Sequence, residues 1–245
     1  MPKRTVAFQA IVLAAGKGTR MGSDLPKVLH LLCGRPMVCR VLDALEAVGI
    51  AKPIIIVGRG AELVERTLGR GYAYVLQEQQ LGSGHAVMCA REAAEGRSRH
   101  ILVMCGDSPL FRAETVRALM DAHLLGRAAV SLTSATLDDP TGYGRIVRGT
   151  DGRITGVVEE KMAGRPERAI REINGGCYAF DSGWLWTNIG LMSENEAGEK
   201  CLTEMVDIAI SQGKRVTSAS CDPEEVLGVN TPEQLAEAER IMSGR

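Results

Sequence analysis

Ala10-Ile11-Val12-Leu13-Ala14-Ala15-Gly16-Lys17-Gly18-Thr19-Arg20-Met21-Gly22 is the stretch on which the class of fold turns. Its first four residues are apolar and rich in β-branching, and the run is short, which predicts a buried strand. The small residues after it strip away side-chain bulk. A backbone so exposed can approach a ligand and aim its N–H groups at phosphates. Arg20, and Lys27 a few residues on, add positive charge. Two familiar phosphate loops fail on spacing. A P-loop needs a glycine separated by four residues from its Gly-Lys-Ser/Thr triplet, but Ile11 stands there and Gly18 follows Lys17. The dinucleotide fingerprint G-x-G-x-x-G fails because Gly22 falls one residue late. Taken alone, the same residues also fit a solvated turn.

Outward from this stretch, apolar runs alternate with helical spacing. Pro36 to Val48 is apolar at Met37, Val38, Val41, Leu42, Leu45 and Val48, with Pro36 suited to a first turn and Gly49 to the end. Strands are expected at Pro53–Gly58, Tyr72–Leu76, His100–Met104 and Ala128–Thr136. Helices are expected at Ala61–Leu68, from a cap at Ser83 to about Ala94, and at Glu114–Leu125. The alternation predicts an α/β protein: a Rossmann-like, mostly parallel sheet with helices on both faces. Three polar or glycine-rich loops, at 14–27, 77–85 and 105–110, each follow a strand. They fall on one edge of such a sheet, where ligands bind.

The second half changes texture. Gly142–Arg148 and Arg153–Glu159 flank Gly149-Thr150-Asp151-Gly152, a hairpin signal. Further strands are expected at Glu172–Phe180 and Arg215–Ala219, with helices at Gly183–Ile189 and around Leu202–Gln212. Thr231-Pro232-Glu233-Gln234 caps a last helix running to Met242. No linker or repeat interrupts the chain. The expectation is a single domain over 1–245, with one half near 5–136 and a second, ending in the C-terminal helix, over 137–245. A small β-rich insertion would cover the site.

Bulk properties narrow the function. A net charge of −1 gives no footprint for nucleic acid, and 4% aromatic content argues against base stacking. No apolar run reaches the ~20 residues of a membrane span, and the basic Met1-Pro2-Lys3-Arg4 start makes a poor signal peptide. The seven cysteines form no C-x-x-C pair and read as reduced, mostly buried residues of a cytoplasmic protein.

Asp107 follows a buried strand, a suitable place for a carboxylate that holds Mg²⁺; capping the next turn is the other reading. Asn230 can add a neutral oxygen or simply form a turn. Lys27 and Arg20 suit charge neutralisation in phosphoryl chemistry, though a lone cation is more often a solvated surface residue. Gln77 offers a donor and an acceptor to a base edge. Among Glu159, Glu160 and Lys161, one carboxylate suits sugar hydroxyls. His85 packs or caps locally, and the remaining histidines share no ligand spacing.

These motifs occur together in one order: Leu13 to Gly22, Ser23-Asp-Leu-Pro-Lys-Val-Leu-His30, Gln77 with Gln80-Leu-Gly-Ser-Gly-His-Ala86, Gly106-Asp107, Asp138-Asp-Pro-Thr-Gly-Tyr-Gly-Arg-Ile146, Val158-Glu159, Glu172-Ile-Asn174-Gly and Gly228-Val-Asn230. The chain resembles, over nearly its whole length, the uridylyltransferase domain of the bacterial bifunctional N-acetylglucosamine-1-phosphate uridyltransferase/glucosamine-1-phosphate acetyltransferase family. The resemblance implies a nucleotidyltransferase using UTP and Mg²⁺ on a sugar 1-phosphate, N-acetylglucosamine 1-phosphate first. It implies backbone contacts to the nucleotide from Leu13, Ala14, Ala15, Gly16 and Gly106, and uracil selection by Gln77, Gly82 and Ser83. Lys27 and Arg20 would serve catalysis at the phosphates, with Lys27 also binding nucleotide. Asp107 and Asn230 would hold the metal, and Gly144, Glu159 and Asn174 the sugar.

Three positions depart from the family. Cys105 stands for a tyrosine before Gly-Asp. Asn174-Gly175-Gly176 replaces Asn-Thr-Gly. Glu199-Lys200-Cys201-Leu202-Thr203-Glu204 replaces a stretch resembling Glu-Tyr-Tyr-Leu-Thr-Asp. All lie on the sugar side. They keep open a different sugar 1-phosphate or phospho-alcohol, or a nucleotide-sugar-binding protein without turnover. The sequence has no hexapeptide repeats, so the family's left-handed β-helix, acetyltransferase activity and trimerisation are expected to be absent, leaving a monomer or weak homo-oligomer.

Overall fold

Strand β1, Phe8–Ala14, sends alternate side chains to opposite faces, and both faces are buried. Ile11 joins one core while Ala10 and Val12 join the other. Strands β2 (Ile54–Val57) and β4 (His100–Cys105) repeat this pattern: Ile54, Ile56, Ile101 and Val103 on one side, Ile55, Val57, Leu102 and Met104 on the other. That is why these strands read as continuous apolar runs rather than alternating ones. The description comes from a computed structural model and covers residues 8–244. The basic stretch Met1–Arg4 lies outside the described residues.

Between these strands run helices α1 (Met37–Ala47) and α2 (Ala61–Leu68), then strand β3 (Ala73–Leu76) and helix α3 (Gly82–Cys89). After β4 come α4 (Ala113–Gly126) and strand β5 (Val130–Thr136). The hairpin β6 (Arg145–Arg148) and β7 (Ile154–Val158) follows, then the long strand β8 (Glu172–Asp181). Helices α5 (Ser182–Asn188) and α6 (Glu204–Ser211), strand β9 (Val216–Ser220) and helix α7 (Pro232–Ser243) finish the chain. Among the described residues the sheet has nine strands. Its main path runs β9-β5-β8-β4-β1-β2-β3, and β6 and β7 extend from β8.

The pairings β4-β1, β1-β2, β2-β3 and β9-β5 are parallel. The strand β8 is antiparallel to both neighbours and lies between β4 and β5. A strand from the second half of the sequence is thus wedged between two from the first. The register of β8 shifts between Asn174 and Tyr178, where Gly176 takes φ +82°. A bulge of this kind re-aims side chains at a strand end.

Details differ from the periodicity reading in two helices. Pro36 caps α1 rather than entering it, because its backbone pairs with Leu31 in a short hairpin. Ser83 does not cap α3: the helix starts at Gly82, and the Ser83 hydroxyl accepts instead from Leu202 N–H at 3.0 Å. At the other end Thr231 caps α7 as expected, accepting from Gln234 N–H at 3.3 Å. The cysteines are all unpaired, but only Cys177 is buried and Cys33 is exposed. Among the described residues no helix is long and apolar enough to cross a membrane.

Candidate active site

Strands β1, β3 and β4 run in one direction, so the loops after them open on the same edge of the sheet. There they surround a cavity of about 450 Å³. Its wall includes Leu13, Ala15, Gly16, Arg20 and Lys27 from the first loop and Gln77, Gly82 and Ser83 from the second. Cys105 and Asp107 come from the third, and Asn230 from the turn before α7. The convergence expected of three strand-end loops is therefore present.

The polar centre of this cavity is a closed group of four side chains. The Lys27 ammonium donates to Asp107 Oδ2 and, at 2.8 Å, to Asn230 Oδ1. Arg20 donates to the same Asn230 oxygen at 3.0 Å. Backbone contacts hold the group in place. Val229 N–H donates to Asp107 O at 2.8 Å, which sets Asn230 opposite Asp107. Asn230 N–H donates to the Gln234 side chain at 2.8 Å, anchoring it to the first turn of α7. Gly18 sits at φ +62°, and a Cβ there would come within 2.8 Å of Lys27 Cβ. Only glycine lets the loop close over the lysine. The Lys27 and Asp107 side chains are mostly shielded from water, so their charges interact more strongly than a surface pair would.

Two oxygens sharing one cation form a hard donor set. Such a set suits Mg²⁺, which takes one or two protein oxygens and completes its shell with water and phosphate oxygens. Among the described residues no group of three or more His, Cys, Asp or Glu forms a self-sufficient metal cluster. A metal here would need ligands from the substrate. The neighbouring Cys105 thiol is pushed up to about 12, first by desolvation and then by Asp107, with Lys27 opposing. It stays protonated and uncharged beside the cation group.

Gln77 is buried, and its amide Nε2 donates to Gly82 O at 3.1 Å and to His85 Nδ1 at 3.0 Å. Its Oε1 makes no hydrogen bond to the described residues. Behind this loop lies a strap, residues 192–203, whose 199–203 end was expected on the sugar side and instead backs the loop after β3. Lys200 N–H donates to Leu81 O and Gly84 N–H to Lys200 O, each at 2.8 Å. Gly82 has φ +94°, and a Cβ on it would lie 2.6 Å from Lys200 O. The strap carries Glu199 into the cavity wall. The two glycines around Ser83 were the signal: they mark a close backbone approach.

Gly144, Glu159 and Asn174 come together as a second group, outside the wall of the main cavity. Asn174 N–H donates to Gly144 O at 2.9 Å. A Cβ on Gly144 would lie 3.4 Å from Glu159 Oε2. The other Glu159 oxygen accepts from the Thr203 hydroxyl at 2.5 Å, so the strap joins the two groups. Glu160, by contrast, is a structural partner. It binds the buried Arg145 guanidinium at 2.7 Å, which holds its carboxyl below the usual range. Gly175 has its own reason: a Cβ there would strike Thr133 Oγ1 at 2.5 Å. Two expected nucleotide contacts do not line the cavity. Ala14 is buried in the sheet core, and Gly106 sits in the ladder, donating to Leu13 O at 2.9 Å.

This strand-end architecture has relatives. Residues 10–156 match the MobA-like NTP transferase domain. The chain belongs to that family. Members related over the full length of this chain include the bifunctional protein GlmU of Heliobacterium modesticaldum. The two are 44% identical over 247 residues, covering 100% of this chain and 53% of that protein. The bifunctional protein GlmU of Geobacillus thermodenitrificans is 46% identical over 238 residues, covering 96% and 52%. The chain thus spans about half the length of the curated relatives it matches. The fold of this NTP transferase is shared with a structure assigned as a glucose-1-phosphate thymidylyltransferase from Bacillus anthracis, in complex with a sucrose. Its TM-score is 0.80 at 19% identity, covering 96% of this chain and 95% of that one.

Proposed function

We propose that the protein is a uridylyltransferase that joins UTP to a sugar 1-phosphate, N-acetylglucosamine 1-phosphate first, forming a UDP-sugar and pyrophosphate. The observation that carries the reading is the closed group Arg20–Asn230–Lys27–Asp107 beside Gln77 in one strand-end cavity. The resemblance to the bifunctional GlmU proteins over the whole chain supports it. So does the family itself.

The chemistry asks for alignment and charge neutralisation rather than a protein nucleophile. An oxygen of the sugar phosphate attacks the α-phosphorus of UTP. A new P–O bond forms, the bond to the β-phosphate breaks, and pyrophosphate leaves with the electron pair. Lys27 and Arg20 neutralise phosphate charge, and Lys27 binds the nucleotide. Leu13, Ala15 and Gly16 bring backbone to the nucleotide, while Ala14 in the core and Gly106, bonded to Leu13 O, support that loop from behind. Asp107 and Asn230 would hold Mg²⁺, which would supply charge to offset that on the phosphates. Gln77 Oε1 would accept from the N3–H of uracil, with Gly82 and Ser83 completing the pocket. Cytosine presents no N–H there, so CTP is rejected; thymine shares it, so Gln77 alone does not separate TTP from UTP. Gly144, Glu159 and Asn174 bind the sugar, with Glu159 accepting from hydroxyls.

The whole chain 1–245 would work as one domain, with donor chemistry in the half near 5–136 and the acceptor group in 137–245. The seating of β8 between β4 and β5 supports this. The test incubates purified protein with UTP, Mg²⁺ and a panel of sugar 1-phosphates, and identifies UDP-sugar by mass. Formation of UDP-N-acetylglucosamine supports the reading. Turnover of another sugar or phospho-alcohol alone would move the acceptor, and tight UDP-sugar binding without turnover would make this a binding protein.

A further inference from the structure

The side-chain carbonyl of Asn230 is fully subscribed. Such an oxygen offers two lone pairs. The Lys27 ammonium takes one at 2.8 Å and Arg20 takes the other at 3.0 Å. The same ammonium donates to Asp107 Oδ2. Asp107 has a second carboxylate oxygen, but Asn230 has only the one carbonyl. Mg²⁺ holds its ligands at about 2.0–2.1 Å. An ion seated on both side chains would therefore stand hard against the ammonium, like charge against like charge. The pair can serve the lysine or the metal, not both at once.

Lys27 is fixed at its backbone and can swing at its tip. Its carbonyl accepts from His30 N–H at 3.2 Å, and Val28 and Leu29 after it are buried. Pro26 before it is packed so closely that a Cβ on Gly60 would lie 2.6 Å from the proline ring. Beyond its Cβ, the flexible four-carbon stem runs along the cavity wall, with Gly16, Lys17 and Gly18 nearby on the same wall. The charge on that wall favours an anion. Lys17, Arg20 and Lys27 stand there against Asp107 and Glu199, three cations to two carboxylates. A divalent cation alone would deepen this surplus, whereas a triphosphate would reverse it.

We propose that Lys27 is a built-in counter-ion of the metal site: it holds Asp107 and Asn230 closed to Mg²⁺ until the phosphates of a nucleotide draw its ammonium away. This rests on the uridylyltransferase reading above, and adds to it that metal binding is conditional on nucleotide. In the exchange the ammonium passes from the side-chain oxygens to phosphate oxygens. Asp107 and Asn230 pass from the ammonium to the ion. Every charged group keeps a partner, so none is left shielded and unpaired. The coupling is reciprocal: nucleotide raises the affinity for metal by the same factor as metal raises the affinity for nucleotide.

The experiment titrates Mn²⁺ alone, a paramagnetic ion that takes the same oxygen ligands, onto the full chain and reads bound ion by electron paramagnetic resonance. Wild type should bind it weakly. Lys27→Met should bind it roughly tenfold more tightly, and adding Asp107→Asn to that variant should abolish the gain. Lys17→Met removes a wall cation that bonds neither Asp107 nor Asn230, and should stay close to wild type. Lys27→Gln serves if Lys27→Met fails to fold. Calorimetry then compares UTP affinity with and without Mg²⁺. The factor between the two should shrink roughly tenfold in Lys27→Met; the ion's own affinity for UTP is common to both proteins and cancels. Unchanged Mn²⁺ affinity in Lys27→Met overturns the proposal. So does a gain that survives Asp107→Asn, or an equal gain in Lys17→Met. Absence of turnover by wild type with UTP and any sugar 1-phosphate would instead overturn the functional reading, and leaves the Mn²⁺ comparison standing.

Discussion

Asp107, Lys27 and Asn230 hold one another through two bonds from a single ammonium. Removing one member leaves the others partly shielded and unpaired. Asp107→Ala should lower Mg²⁺-dependent turnover by roughly 10²–10³-fold while leaving the circular dichroism spectrum intact; unchanged turnover would refute the metal assignment. A second residue-scale effect lies away from the site. His123 is fully buried, with Nδ1 2.8 Å from Ser131 Oγ and Nε2 3.1 Å from His100 Nδ1. Desolvation, with His100 adding and Asp181 opposing, lowers it from 6.5 to about 4. The unfolded chain takes up this proton first. Stability is therefore complete above pH 6.5 and falls as pH drops toward 4, by about 3 kcal/mol in all. Urea unfolding from pH 7 to 4.5 should show this slope in wild type and a shallower one in His123→Gln.

The strap 192–203 is the element that sequence periodicity left blank. It has little regular structure. Backbone pairing of Lys200 with Leu81 and Gly84 helps to hold it, and such pairing has no side-chain signature. Its one visible trace was the spacing of Gly82 and Gly84. A Cβ on Gly84 would lie 2.6 Å from Met192 Sδ and 2.9 Å from Lys200 O. Gly84→Ala should therefore destabilise the protein by about 1–3 kcal/mol and raise the UTP KM, both read from thermal melts and steady-state kinetics. The strap also explains why Ser83 is not a cap: its hydroxyl is engaged by Leu202 N–H. By contrast β1, β2, β4 and α2 were legible, because burial on both sheet faces, or on one helix stripe, is written directly into side-chain type.

At the scale of the molecule, the sheet edge was readable but the strand order was not. Alternating strands and helices place loops 14–27, 77–85 and 105–110 on one edge, and the cavity forms there. Nothing in the local pattern says that β8 inserts between β4 and β5, since that choice is made by long-range packing. The insertion has a functional consequence. It sets Tyr178 opposite Val103 in the strand that ends at Cys105, and beyond the bulge it carries Asn174 to a place opposite Ser134. Core losses should act on the whole sheet at once: Ile55→Ala, in a fully buried strand, should cost about 2–5 kcal/mol in denaturant melts. The most direct test of the central claim is pyrophosphate release from UTP and N-acetylglucosamine 1-phosphate with Mg²⁺, by wild type and by Lys27→Ala in parallel. The account predicts steady release by wild type, dependent on both substrates, and a collapse of that rate in the folded variant. Equal release by both proteins, or none by wild type with any sugar 1-phosphate, would contradict it.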